Sequence, residues 1–258
     1  MIRKLAKADD VIIMQYKLVA IDIDGTLLNS RNEIPAENIQ TIRELRQRGV
    51  RFVVVTGRPD VMAREYVNIL GINAPILGCN GATMRDALSG GETYYCKSIP
   101  FRALNELHNY FQAAGLYARY YGLDTLYSFN PHEFDEQRNP FAHFSKQLAK
   151  HMDFKVIAGI DELVASGEKI IKLMYPVSDP ELLKPVQQQL RLIDGVEVFR
   201  ASKLSLDIVA AGICKGVALL DYALSLGIDR SELVAIGDSE NDLSMLRNRI
   251  AGRDGKCQ

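Results

Sequence analysis

Three short apolar runs, each ending in polar residues, constrain this chain more than any other feature. Lys17-Leu18-Val19-Ala20-Ile21 leads into Asp22-Ile23-Asp24-Gly25-Thr26. Arg51-Phe52-Val53-Val54-Val55 leads into Thr56-Gly57-Arg58, and Leu233-Val234-Ala235-Ile236 into Gly237-Asp238-Ser239-Glu240-Asn241-Asp242. Short β-branched runs separated by helical stretches read as parallel strands. An open parallel sheet binds ligands at the carboxyl ends of its strands. Two carboxylates, a hydroxyl and an acidic cluster therefore converge on one edge, with Lys215 just ahead of the helix that leads to the last strand. That inventory suits moving a phosphoryl group with a metal ion.

The stretches between the runs support this layout. Residues 35–49 read as a helix, with Pro35 at its start, Ile39, Ile42 and Leu45 on one face, and Gly49 as its stop. A second helix spans 60–70 before Gly71, and residues 75–79 form a third strand ahead of Asn80-Gly81-Ala82. The β-α-β-α-β order predicts an α/β fold with a doubly wound parallel sheet, Rossmann-like in outline. The pattern then changes. Residues 82–99 read as a hairpin turning at Ser89-Gly90-Gly91, and 101–114 as a helix carrying Leu104, Leu107 and Phe111. Strands are expected at 116–121, 125–129, 168–174, 196–200 and 204–209, with a helix near 180–193; residues 130–150 give no assignment. The parallel pattern resumes after Gly212, with a helix at 216–226. An α/β domain inserted at 84–210 is expected, inside a core of residues 14–83 and 211–258. Inserted caps are suited to covering an active site and selecting substrates.

Charge and cysteine usage exclude other classes. The 31 basic and 32 acidic residues nearly cancel, and no long basic run points to nucleic acid. No apolar stretch approaches the roughly 20 residues that span a bilayer. Cys79, Cys96, Cys214 and Cys257 form no C-x-x-C pair, so neither a zinc site nor a disulfide framework is indicated, and a cytoplasmic setting fits. Residues 1–13 read as a leader appended to a compact protein that starts at Met14.

Each polar group has a plainer reading. Asp22 and Asp24, two apart in an extended segment, point the same way, and Gly25 permits a sharp turn. A hairpin would need an alternating strand next, which Leu27-Leu28-Asn29-Ser30 does not supply; the spacing of a calcium loop is absent. A catalytic pair is favoured. Thr56-Gly57 can hold a phosphate oxygen, but alone reads better as a helix cap. Lys215 alone is a surface lysine. The Gly-Asp-Ser-Glu-Asn-Asp run suits a hard cation, an acidic helix cap, or both.

Together these segments resemble the haloacid dehalogenase-like (HAD) superfamily, and within it the Cof-type phosphatases. Asp22-Ile23-Asp24-Gly25-Thr26-Leu27 resembles the first family motif, Val55-Thr56-Gly57-Arg58 the second, Lys215-Gly216 the third, and Gly237 to Asp242 the fourth. Cys79-Asn80-Gly81-Ala82 resembles a Cof-type segment that precedes the cap. The resemblance implies an HAD core with an inserted α/β cap, and Mg²⁺-dependent hydrolysis of small phosphorylated metabolites, such as a sugar phosphate or a phosphorylated cofactor. It implies Asp22 as a nucleophile forming an aspartyl-phosphate and Asp24 as acid and base. Thr56 and Lys215 complete the implied catalytic set, with Gly57, Arg58, Asn80 and Asn241 as phosphate or substrate contacts. Asp22, Asp238, Asp242 and Asp24, the last through its backbone carbonyl, are the implied metal residues. Arg119 and Tyr127 are candidate substrate contacts in the cap. A phosphotransferase or phosphomutase is an alternative, as is a poorly active phosphate-binding remnant. The latter is suggested by the end of the chain, where a strand and helix expected after Leu246 are replaced by a short polar stretch.

Overall fold

The computed structural model describes residues 16–87 and 91–247. The leader, Met14, Ser89-Gly90 and the ending from residue 248, with Cys257, lie outside the described residues. The chain divides into two compact units. One contains Tyr95 and everything described before it, together with Ile213 onward; the other is Cys96–Gly212. The boundary thus falls after Tyr95 rather than at residue 84.

The first unit opens with β1 (Leu18–Ile21) and a kinked turn at Ile23–Leu27, then α1 (Ala36–Gln47), β2 (Arg51–Val55), α2 (Asp60–Leu70) and β3 (Ile76–Gly78). Strands β4 (Thr83–Arg85) and β5 (Thr93–Cys96) follow. The chain then makes the second unit: α3 (Phe101–Ala113), β6 (Arg119–Tyr121), β7 (Thr125–Ser128), α4 (Ala142–Leu148), β8 (Asp153–Val156), α5 (Ile160–Ala165), β9 (Lys172–Pro176), α6 (Leu183–Leu190), β10 (Val196–Ser202) and β11 (Ser205–Ala210). It returns as α7 (Lys215–Ser225), β12 (Leu233–Ile236) and α8 (Leu243–Leu246).

The first sheet has the order β12-β1-β2-β3-β4-β5. Its β12, β1, β2 and β3 run parallel, and β4 is antiparallel to β3. Strand alternation explains how helices cover both faces. Val19, Ile21, Phe52 and Val54 join one apolar cluster with Ile42 and Leu45 of α1 and Ala63, Val67 and Leu70 of α2. Leu18, Ala20, Val53 and Val55 join another with Ala218, Leu219, Tyr222 and Ala223 of α7 and Met245 of α8. Successive side chains point to opposite faces, so strands buried on both sides need continuous apolar runs. All four residues of β1 are buried. The doubly wound arrangement is therefore present. The β4–β5 hairpin extends this sheet instead of opening the inserted unit.

Strand β12 is an edge strand among the described residues. Its Leu233, Val234 and Ala235 are only partly buried, while Ile236 is 6% exposed. A groove of about 600 Å³ runs along it between Tyr16, Arg230 and Leu246.

The second unit has a six-stranded sheet of order β10-β11-β9-β6-β7-β8. All neighbours are antiparallel except β7 and β8, which are parallel. Leu104, Leu107 and Phe111 of α3 pack with Leu183, Val186 and Leu190 of α6 against Tyr120, Tyr127, Leu173 and Ile208. Strand β9 begins at Lys172, not 168, because Gly167 (φ 68°) follows α5 and 168–171 link the two elements. No helix among the described residues is long and apolar enough to cross a membrane.

Candidate active site

The loop after β1 separates the two carboxylates that the sequence places side by side. The Asp22 N–H donates to the Ile236 carbonyl at 3.0 Å, which pins the loop to β12. The Asp22 side chain is 4% exposed, and its Oδ1 accepts from Lys215 Nζ at 2.7 Å. The Asp24 side chain is exposed and pairs with Arg58. The expectation that both carboxylates point the same way is thus corrected. The backbone does not continue as a strand: it turns at Gly25, whose φ of 76° is left-handed. A Cβ on Gly25 would lie 2.4 Å from Asp238 Oδ2, so glycine is required here for space as well as conformation.

Lys215 opens α7 and is 1% exposed, so it is not the surface lysine of the plainer reading. Its Nζ also donates to Asp242 Oδ1 at 2.6 Å. Asp242 Oδ2 accepts the Asp238 and Ser239 N–H groups at 3.0 and 2.9 Å. Asp242 therefore caps the short helical turn at Glu240–Asp242 and anchors Lys215. The helix-cap reading of the acidic run holds, and the same run brings Asp238 and Asp242 into a carboxylate cluster with Asp22. Oxygens of Asp22, Asp238 and Asp242 all lie within 4.8 Å of one another. Thr26 Oγ1 donates to Asp238 Oδ1 at 2.9 Å, a role that the sequence reading missed.

Two carboxylates, Asp22 and Asp242, share the Lys215 ammonium, and Asp238 lies beside them. Burial pushes the Asp22 carboxyl up to about 6; Lys215 opposes this and Asp242 adds to it. An all-oxygen donor set with surplus negative charge fits a hard divalent cation. Asp242 accepts from the Lys215 ammonium through Oδ1 and from two backbone N–H groups through Oδ2. Among the described residues Asp238 accepts only from the rotatable Thr26 and Ser239 hydroxyls, and Asp22 pairs with Lys215 through Oδ1, which leaves Asp22 and Asp238 as the better-suited carboxylate ligands. The Asp24 carboxylate is outside the cluster.

The second motif behaves differently from its capping reading. The helix α2 begins at Asp60 after Pro59, while Thr56 Oγ1, fully buried, accepts the Arg58 N–H at 3.1 Å. Gly57 is partly buried between them. Asn80, also fully buried, has a left-handed φ of 60° and accepts from Asn241 Nδ2 at 2.9 Å. Asn241 Oδ1 is buried without a hydrogen-bond partner among the described residues. The structure therefore brings Asp22, Asp238, Asp242 and Lys215 together and ties Asn80 to Asn241.

The candidate contacts in the second unit are otherwise engaged. Arg119 is fully buried and bonded to Glu133, Ser145 and the Phe141 carbonyl. Tyr127 packs in the apolar core of that unit, and its hydroxyl donates to Glu168 Oε2 at 3.3 Å.

Comparison with known proteins agrees with this layout. The family model described as haloacid dehalogenase-like hydrolase matches residues 19–251. This chain is a member of that family. It is 30% identical over 251 residues to the 5-amino-6-(5-phospho-D-ribitylamino)uracil phosphatase YwtE of Bacillus subtilis, covering 92% of this chain and 85% of that protein. A haloacid dehalogenase-like hydrolase from B. subtilis superposes with a TM-score of 0.74 at 26% identity, over 90% of this chain and 86% of the other. One from Bacteroides thetaiotaomicron gives 0.72 at 28% identity, over 90% and 85%. This haloacid dehalogenase-like hydrolase thus shares the fold of solved hydrolases of its family.

Proposed function

We propose that this hydrolase is a Mg²⁺-dependent phosphatase of small phosphorylated metabolites, with Asp22 as nucleophile and Asp24 as acid and base. That it is an enzyme, a phosphoric monoester hydrolase, follows from its family and its phosphatase relatives. The observation that carries the mechanism is the buried lysine shared by Asp22 and Asp242 beside Asp238. Asp22 and Asp238, with the Asp24 carbonyl, would hold Mg²⁺. When bound, Mg²⁺ supplies positive charge that offsets repulsion between a carboxylate and a phosphate.

The residues of the chain then divide the work. A carboxylate oxygen of Asp22 attacks phosphorus as the bond to the ester oxygen breaks. Asp24 gives its proton to that departing oxygen. Asp24 next takes a proton from water, which attacks phosphorus, releases inorganic phosphate and regenerates Asp22. Lys215 holds the Asp22 carboxylate in one orientation and reduces charge repulsion as the phosphate approaches. Thr56 and the Asn241 amide would orient the phosphoryl oxygens. The inserted unit, Cys96–Gly212, is assigned the role of cap and of choosing the substrate, a sugar phosphate or a related phosphorylated compound. Cys79, Cys96 and Cys214 are free thiols, which suits a cytoplasmic, reducing setting.

The test is hydrolysis of 4-nitrophenyl phosphate with and without Mg²⁺, followed by a panel of phosphorylated metabolites. Activity is expected to disappear on chelation and to return with Mg²⁺. Hydrolysis unaffected by chelation would overturn the metal assignment, and inertness toward every phosphate ester would overturn the activity.

A further inference from the structure

We infer that Arg58, braced by Tyr66, is a positioning residue that orients the Asp24 carboxylate, and not a phosphate contact. The inference rests on Asp24 being the acid and base. Arg58 Nε donates to Asp24 Oδ2 at 2.7 Å, and Nη2 donates to Oδ1 at 2.5 Å. This is a two-point fork on one carboxylate, the geometry that fixes orientation as well as distance. Arg58 Nη1 donates to the Tyr66 hydroxyl at 3.3 Å, and the guanidinium carbon lies 5.4 Å from the Tyr66 ring centroid. All three guanidinium nitrogens are thus engaged within the protein.

The arm that carries this fork is fixed at its base. The Arg58 N–H donates to Thr56 Oγ1, and its carbonyl accepts the Cys79 N–H at 2.9 Å. Tyr66 stands on α2 and packs against the apolar cluster beneath β1 and β2. Asp24 is the contrasting partner. Its side chain is 54% exposed, and no other hydrogen bond or ion pair to it exists among the described residues. An exposed ion pair contributes little to folding, so stability gives no reason for so constrained an arm. An acid that must meet a departing oxygen does give one, because a misplacement of about 1 Å can cost roughly 10²-fold in rate.

The experiment is a leaving-group series of substituted phenyl phosphates, from 4-nitrophenyl to unsubstituted phenyl, with Mg²⁺ saturating. The kcat/KM of the wild type, Asp24→Asn, Arg58→Ala, Arg58→Lys, Tyr66→Phe and Asp24→Asn/Arg58→Ala is measured. A working acid flattens the dependence on leaving-group basicity, and its loss steepens it. Arg58→Ala is expected to lose about 10–100-fold on phenyl phosphate and less than about 3-fold on 4-nitrophenyl phosphate. Arg58→Lys, which keeps the charge but not the fork, should fall between Arg58→Ala and wild type. Tyr66→Phe should shift the slope in the same sense by less. The double variant should be no worse than Asp24→Asn on phenyl phosphate. A uniform rise in KM across the series, additive with Asp24→Asn, would make Arg58 a substrate contact and overturn the inference. A lower melting temperature with an unchanged slope would make it structural and also overturn it. If Arg58→Ala does not fold, the Arg58→Lys and Tyr66→Phe slopes decide. If Asp24→Asn itself leaves the slope unchanged, the acid role fails, and that failure is distinct from a wild-type slope in the Arg58 variants alone.

Discussion

Each unit buries a cation against carboxylates, and the two clusters differ in charge balance. In the second unit, Arg119 and Glu133 side chains are both 0% exposed and form one pair. Glu133 Oε2 accepts from Ser128 at 2.6 Å, and Oε1 accepts from Tyr117, Arg119 and Ser145. Charge is balanced and donors surround the carboxylate, although Arg119 Nη1 is buried without a hydrogen-bond partner among the described residues. In the first unit, Lys215 serves Asp22 and Asp242 with Asp238 alongside, so negative charge exceeds positive. Asn241 there keeps a buried acceptor without a partner among the described residues, as Arg119 keeps a buried donor in the other cluster, so charge balance is what separates the two. Burial of charge does not by itself mark a working site, because a closed pair costs desolvation and returns it locally. An unbalanced cluster in which a group is shifted from its ordinary pKa is the better marker.

The comparison can be broken most forcefully at Glu133. Glu133→Ala leaves a buried guanidinium unpaired and should cost about 3–5 kcal/mol, read by denaturant unfolding. Turnover per folded molecule should change little; a large fall in kcat without loss of stability would place the second cluster in the chemistry. Lys215→Gln should act the other way. It should lower kcat by roughly 10²–10³ in steady-state assays with Mg²⁺ under conditions where the protein is folded. A variant with near wild-type kcat would make Lys215 the structural residue of the pair.

A smaller effect follows from the burial of Asp22. Asp22 moves from 3.8 to about 6 in the folded protein, through burial first. A raised carboxyl contributes its full stability below its unfolded value and loses it as pH rises through the folded one. Without metal, Asp22→Asn should therefore melt above the wild type at about pH 7–8, by at most about 3 kcal/mol at roughly 1.4 kcal/mol per unit. The gap should close toward about pH 4. A gap that widens on acidification would contradict the raised Asp22 carboxyl. Smallest is Thr26→Val, which removes the hydroxyl that holds Asp238. It should weaken Mg²⁺ binding about 3–10-fold, the net worth of one exposed hydrogen bond, as followed by calorimetry.

Much of the first unit was legible because parallel strands buried on both faces need apolar runs, and chemistry-bearing residues follow those runs. Strand β2 and helix α2 fall on the expected residues, and Asp22, Lys215 and the acidic run meet as expected. Elements without a periodic signal escaped. Strand β8 is mostly exposed at the edge of its sheet, and α5 has a single buried residue, so neither shows alternation or an apolar stripe. Partners remote in sequence escaped too. Thr26 meets Asp238, and Asp60 joins Arg64 and Arg85, through folding that no local spacing records. The divergence of Asp22 from Asp24 depends on Gly25 turning the chain, a step that the Asp-Gly pair signals without giving its direction. The position of Arg58 after Thr56-Gly57 is visible in sequence and reads as a phosphate or substrate contact, whereas its hydrogen bonds to Asp24 arise from folding that local spacing does not record.

The central claim is that the unbalanced cluster does covalent work through Asp22. The most direct measurement is acid quenching of the wild-type enzyme during turnover of 4-nitrophenyl phosphate with Mg²⁺, followed by borohydride reduction and peptide mapping. Reduction is expected at Asp22 alone, with none in Asp22→Asn and an unchanged pattern in a folded Glu133 variant. Steady turnover with no modified aspartate under rapid quench, or modification at another carboxylate that persists in Asp22→Asn, would contradict it.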